Sequence, residues 1–76
     1  MNYKVIIGKN LQNARKAFKK LTQTEMAKEM NTSQTVYARY ERGQIELDYE
    51  KIVWLCERLD ITPNDLFDGC FKHPLI

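Results

Sequence analysis

The sequence predicts an all-α chain folded as a compact five-helix bundle, and three observations lead there. The first is composition: 43% hydrophobic residues exclude disorder, while three Gly and two Pro are too few to turn a many-stranded sheet. The second is the spacing of apolar residues at intervals of three and four, the period of a helix with one buried face. The third is the recurrence of helix-start residues ahead of those runs, at Thr22, Ser33, Asp48 and Thr62. At 76 residues the chain is one domain at most. A chain of that size buries only about 60% of the surface it exposes when unfolded, so modest stability is expected.

The first helix is expected from about Tyr3 to Phe18, with Ile7, Leu11, Ala14 and Phe18 on its buried face. Thr22-Gln23-Thr24-Glu25 fits a capping box, in which the Thr22 hydroxyl accepts from a backbone amide one turn on and Glu25 reaches back to the amide of Thr22. A second helix therefore starts at Gln23, buries Met26, Ala27 and Met30, and stops near Asn31, which tolerates a left-handed backbone. Thr32 and Ser33 cap a third helix that runs to Arg42 and ends at Gly43. Asp48 caps a fourth, Tyr49 to about Asp60, with Tyr49, Ile52, Val53, Cys56 and Leu59 as its core stripe. Thr62-Pro63 opens a fifth that buries Leu66 and Phe67 and ends near Gly69. Residues 1–69 form the expected domain and residues 70–76 a tail with no readable pattern.

The net charge of +2 conceals a division. Residues 1–42 carry nine Lys and Arg against three acids, whereas the remainder carries three against seven. A fold with a basic half and an acidic half suits a polyanion on one side only. The apolar run Val5-Ile6-Ile7 is far shorter than the roughly 7 to 15 residues of a signal-peptide core or the roughly 18 of a membrane span, so a cytoplasmic location is expected. Cys56 and Cys70 are too few for a disulfide scaffold, and Cys70 with His73 falls short of a closed metal site, so no metal or other cofactor is expected. With one His near the chain end, no phosphate-cradling Gly loop and no nucleophile beside a base, the residues do not describe an enzyme.

The third helix carries the functional reading. With Gln34 as zero, and about 100° per residue, Gln34, Ala38, Arg42, Thr35 and Arg39 point between roughly 0° and 140°, whereas Val36, Tyr40 and Tyr37 point between roughly 200° and 300°. One side is apolar, to pack; the other offers donors and small residues. Two short helices joined across Asn31 and Thr32, the second built this way, form a helix-turn-helix unit. A major groove about 12 Å wide admits one helix and shows a distinct donor and acceptor pattern at each base pair. Gln34 can bond an adenine edge, Arg39 a guanine edge, Thr35 can donate, accept or meet a thymine methyl, and Ala38 leaves the backbone free to approach.

The runs Leu21-Thr22-Gln23-Thr24-Glu25-Met26-Ala27 and Thr32-Ser33-Gln34-Thr35-Val36-Tyr37-Ala38-Arg39-Tyr40-Glu41-Arg42-Gly43 resemble the XRE family of helix-turn-helix regulators, to which the phage Cro and repressor proteins belong. The likeness extends from about Ile7 through Asp60-Ile61-Thr62 to Leu66-Phe67. It implies the lambda-repressor-like fold and sequence-specific binding of double-stranded DNA by a transcriptional regulator, with repression the expected outcome. It further implies base reading by Gln34, Thr35, Ala38 and Arg39, phosphate contacts from Gln23, Thr24, Ser33, Arg42 and Gln44, and a structural ion pair of Arg15 with Glu41. The chain departs from the family pattern at Lys19-Lys20, where it is one residue longer, and at Asn31 and Asp60, where members often have Gly.

Several readings stay open on the sequence. Tyr37 and Tyr40 are core residues with tips near water, or phosphate ligands. Lys19 and Lys20 are a solvated loop or a phosphate clamp. Trp54 points away from the expected core stripe; with Phe67 or Phe71 it forms a homodimer interface, or the tail from Phe71 to Ile76 folds back over it. The functional alternative is a protein-binding module, such as an antitoxin that masks a toxin partner, served by Trp54 and that tail.

Overall fold

Asn2 starts the first helix by accepting the amide of Val5 on its side-chain oxygen, at 3.3 Å. A computed structural model describes residues 2–71, with the side chains of Phe18 and Lys19 left aside. Helix α1 runs Tyr3–Ala14 and widens into a π-helical turn over Arg15–Lys19. A π turn accommodates one residue more in each hydrogen-bonded ring than an α turn. The turn closes on Lys20 in a left-handed conformation, φ 54°.

The remaining helices start as their caps dictate. Thr22 and Glu25 form the expected capping box, at 3.1 and 3.0 Å, and open α2, Gln23–Glu29. Ser33 accepts from Val36 at 3.1 Å and opens α3, Gln34–Glu41. Asp48 accepts from Lys51 at 2.8 Å and opens α4, Tyr49–Leu59. A second capping box, Thr62 with Asp65, opens the short α5, Pro63–Leu66. Asn31, Asp60 and Gly43 all take positive φ at the helix ends where the sequence puts a stop.

Helices α2 and α3 pack on each other, α1 crosses α3 and touches α5, and α4 lies against α5 and the π turn. Leu11, Met26, Tyr37, Leu55, Leu59 and Leu66 fill the centre with no exposed surface. Asn10 donates from its side-chain nitrogen to the carbonyls of Leu66 and Asp68, at 2.9 and 2.8 Å, and so ties α1 to the turn after α5. Beyond that turn Cys70, the first residue of the expected tail, is buried with its amide bonded to the Phe67 carbonyl at 3.0 Å.

The core stripe of α4 keeps Ile52, Cys56 and Leu59 of the expected one but takes Leu55 in place of Tyr49 and Val53. Leu55, Cys56 and Leu59 are buried, while Tyr49 and Val53 stand exposed. Spacing alone admits either stripe, and the position of α5 and the π turn selects the one centred on Leu55 and Leu59. Phe18 and the segment 72–76, including His73, lie outside the description, so the Cys70 and His73 pair and the folded-back tail do too. Among the described residues, no helix is long and apolar enough to cross a membrane, and no group of metal-ligating side chains comes together.

Gly8 sits where α1 meets the carboxyl end of α3. A Cβ there would collide with the carbonyl oxygens of Glu41 and Tyr40, the latter at 2.6 Å, and both are backbone atoms that cannot rotate away. Gly8→Ala is therefore expected to cost about 1 to 3 kcal/mol by overpacking. In a domain this small, thermal melting would show that as a loss of at least about 4 °C.

Candidate nucleic-acid interface

The interface is built outward from a buried charge pair. Arg15, in the π turn, donates from Nε to Glu41 Oε2 at 2.6 Å and from Nη2 to Oε1 at 3.0 Å, a two-pronged contact. Its Nη1 donates to the Leu21 carbonyl at 2.6 Å. The two side chains are only 7% and 2% exposed. Burial alone would push the Glu41 carboxyl up, but hydrogen bonds led by that from Arg15 hold it below the ordinary glutamate value. The Arg15 guanidinium is in turn raised by its bond to Glu41. The Tyr37 hydroxyl is buried beside this pair without reaching hydrogen-bond geometry, and burial pushes its titration well up.

From Glu41 the bonding continues to the surface. Gln23 Nε2 donates to Glu41 Oε1 at 2.9 Å, and Gln34 Nε2 donates to Gln23 Oε1 at 2.7 Å. Gln34, at the first turn of α3, is thus tied through Gln23, at the first turn of α2, to a carboxylate at the far end of α3. An amide has two N–H groups and a carbonyl, so both glutamines keep donors, and Gln34 its carbonyl, for a ligand. No sequence pattern announces this relay; Gln23 and Gln34 were singled out separately.

The outer strip is partly as expected. Gln34, Thr35 and Arg39 are exposed together on α3, and Arg42 follows at its end. Thr24, Ser33 and Gln44 are exposed near them in sequence, and Gln23 is half-buried. Arg39 and Arg42 have no ion-pair partner among the described residues. Ala38 does not belong to the strip: it is 2% exposed, buried with Tyr37 and Glu41. The buried arc of α3 runs through Tyr37, Glu41 and Ala38, at roughly 300°, 340° and 40° on the helical wheel. Glu41, bonded to Arg15, is buried on this arc. Val36 and Tyr40 are consequently only half-buried.

Of the three residues considered for a dimer interface, Trp54 and Phe67 line separate hollows. Trp54 lines a hollow of about 260 Å³ with Met30 and Asn31 of the turn after α2. Phe67 shares a separate hollow with Ile52 and Tyr40. Ile52 and Trp54 are two positions apart on one helix, hence about 200° around it, on opposite sides. Phe71 is exposed. Lys20 is exposed too, and Lys19 lies outside the described side chains.

Comparison with known proteins shows the family of the chain. The family model described as a helix-turn-helix domain matches residues 8–70. YqaE of Bacillus subtilis (strain 168), named as an uncharacterized HTH-type transcriptional regulator, is 34% identical over 64 residues, which cover 84% of this chain and 54% of that protein. The chain thus spans about half the length of the curated relative it matches. No solved structure matches it.

The buried pair sets an acid limit on stability. A carboxylate held below its ordinary value contributes stability that is complete well above that value and is lost as pH falls through the folded-state one. Unfolding free energy is therefore expected to decline as pH drops below about 4.5, the ordinary glutamate value. Glu41→Ala, which strands the Arg15 charge, should cost about 3 to 5 kcal/mol at neutral pH. In urea melts that variant should also show a weaker acid dependence, the remainder coming from Glu25, Glu29 and Asp48, whose carboxyls are likewise held below their ordinary values.

Proposed function

The chain belongs to the XRE-type helix-turn-helix regulators, and from that premise we propose that it represses transcription by laying α3 in the major groove of a specific double-stranded DNA site. It is a DNA-binding regulator domain by family; the groove, the contacts and the sign of regulation are our reading. What carries the reading is the exposed strip of Gln34, Thr35 and Arg39, backed by a buried anchor. In it Arg39 reads a guanine edge, Gln34 an adenine edge with the donor and carbonyl left free by Gln23, and Thr35 a neighbouring base. Buried Ala38 contributes by being small where α3 packs on its neighbours, not by touching a base. Thr24, Ser33, Arg42, Gln44 and the spare N–H of Gln23 hold phosphates and fix the register.

The protein acts without catalysis, in the cytoplasm with its DNA. On a two-fold site, two copies would set their α3 helices about 34 Å apart. Family membership supports DNA binding over the toxin-masking alternative.

Selection of bound DNA from a random pool, followed by titration at several salt concentrations, tests this. A defined site should emerge, with log affinity falling against log salt by about 0.9 per phosphate held. Arg39→Ala should lose about 1 to 3 kcal/mol of discrimination at one base pair, whereas Thr24→Ala should weaken every site alike. Gln23→Ala should lower both affinity and selectivity, since it releases Gln34. No enriched site, or affinity indifferent to salt, would overturn the reading.

A further inference from the structure

Helix α4 turns an apolar stripe to solvent that the core does not use. Tyr49 is 86% exposed and Val53 57% exposed, and Trp54, half-buried against the core, lines a surface hollow with them. These side chains form two rows at the spacing of a helical turn: Tyr49, Val53 and Glu57 in one, Glu50 and Trp54 in the other. The furrow between two such rows is the shape that receives a ridge of side chains from a second helix.

The charges on α4 say what that second helix carries. Its two cations are already engaged, Lys51 with Asp48 at 2.7 Å and Arg58 with Glu29, across the two helices, at 2.5 Å. Glu50 and Glu57, which border the stripe, have no ion-pair partner among the described residues. The face is therefore apolar along its middle and negative at its borders. Nucleic acid is repelled by it, and a second copy presenting the same face would set Glu50 and Glu57 against their own counterparts. A basic helix meets no such penalty, and its cations can also lie over the indole.

We propose that the outer face of α4 docks a basic amphipathic helix of a partner protein, whose apolar side chains cover Val53 and Trp54 and whose Lys or Arg side chains pair with Glu50 and Glu57. The site is separate from the strip on α3, and the proposal stands whether or not the DNA reading holds.

Trp54 is the single tryptophan of the chain and reports on the site directly. Its emission should shift to the blue and saturate on titration with a synthetic amphipathic helix of Leu and Lys, and stay unchanged with the matching helix of Leu and Glu. Val53→Asp and the pair Glu50→Lys with Glu57→Lys alter only exposed side chains, so thermal melting should remain near that of the parent. Each should weaken the basic peptide by about tenfold or more. Binding of neither peptide, equal binding of both, or charge-reversed protein that binds as well as the parent would overturn the proposal. So would sedimentation that finds a dimer which Val53→Asp returns to monomer, since the occupant would then be a second copy.

Discussion

The buried pair of Arg15 and Glu41 is the constraint on which the arrangement of the helices depends. Taking two charges out of water costs several kcal/mol each, and the cost is recovered only when nearly every donor and acceptor of the pair is used. Here two prongs join the charges, a third bond reaches the Leu21 carbonyl, and Gln23 adds a fourth. Those partners come from the π turn, the connection after it, the start of α2 and the end of α3. Satisfying one pair thus fixes four parts of the chain against each other. The close backbone approach at Gly8 belongs to the same fit, because it lets the end of α3 come near enough to α1 for Arg15 to reach Glu41.

The same bonds bear on recognition. A glutamine free in solvent loses rotamer freedom when it binds, at about 0.5 to 1.5 kcal/mol for an immobilised side chain. Gln34 is held in advance by Gln23, which is held by Glu41. In the proposed reading the interior charge pair therefore aims the outermost base-reading side chain. Arg39 has no such tether among the described residues, so the two ends of the strip contribute differently: one preset, one adaptable.

Local chemistry made much of this legible in the sequence. The capping box at Thr22 and Glu25, the stops at Asn31, Asp60 and Gly43, and Pro63 at the start of α5 are decided within a few residues, and the structure agrees with them. The pairing of Arg15 with Glu41 was implied by family likeness alone. What escaped was set by neighbours distant in the chain. Ala38 looked like part of an outer face because its wheel angle falls between those of Gln34 and Arg42, and it is buried instead on the arc it shares with Tyr37 and Glu41. Tyr49 and Val53 matched an apolar stripe as well as Leu55 does, and only the position of α5 and the π turn separates them. The close backbone approach at Gly8 and the two hydrogen bonds from Asn10 depend on contacts that no local window contains.

The account claims that the buried pair aims the reading surface and does not merely fill space. Replacing it by an apolar pair, Arg15→Met with Glu41→Leu, separates the two roles, because such swaps often leave stability unchanged or raise it. The measurement is the ratio of affinities for the selected DNA site and for the same site altered at the base pair assigned to Gln34, made on protein shown by melting to be folded. The account predicts a ratio reduced toward that of Gln34→Ala, since Gln23 has lost its anchor. A folded variant that keeps the full parental ratio would contradict it.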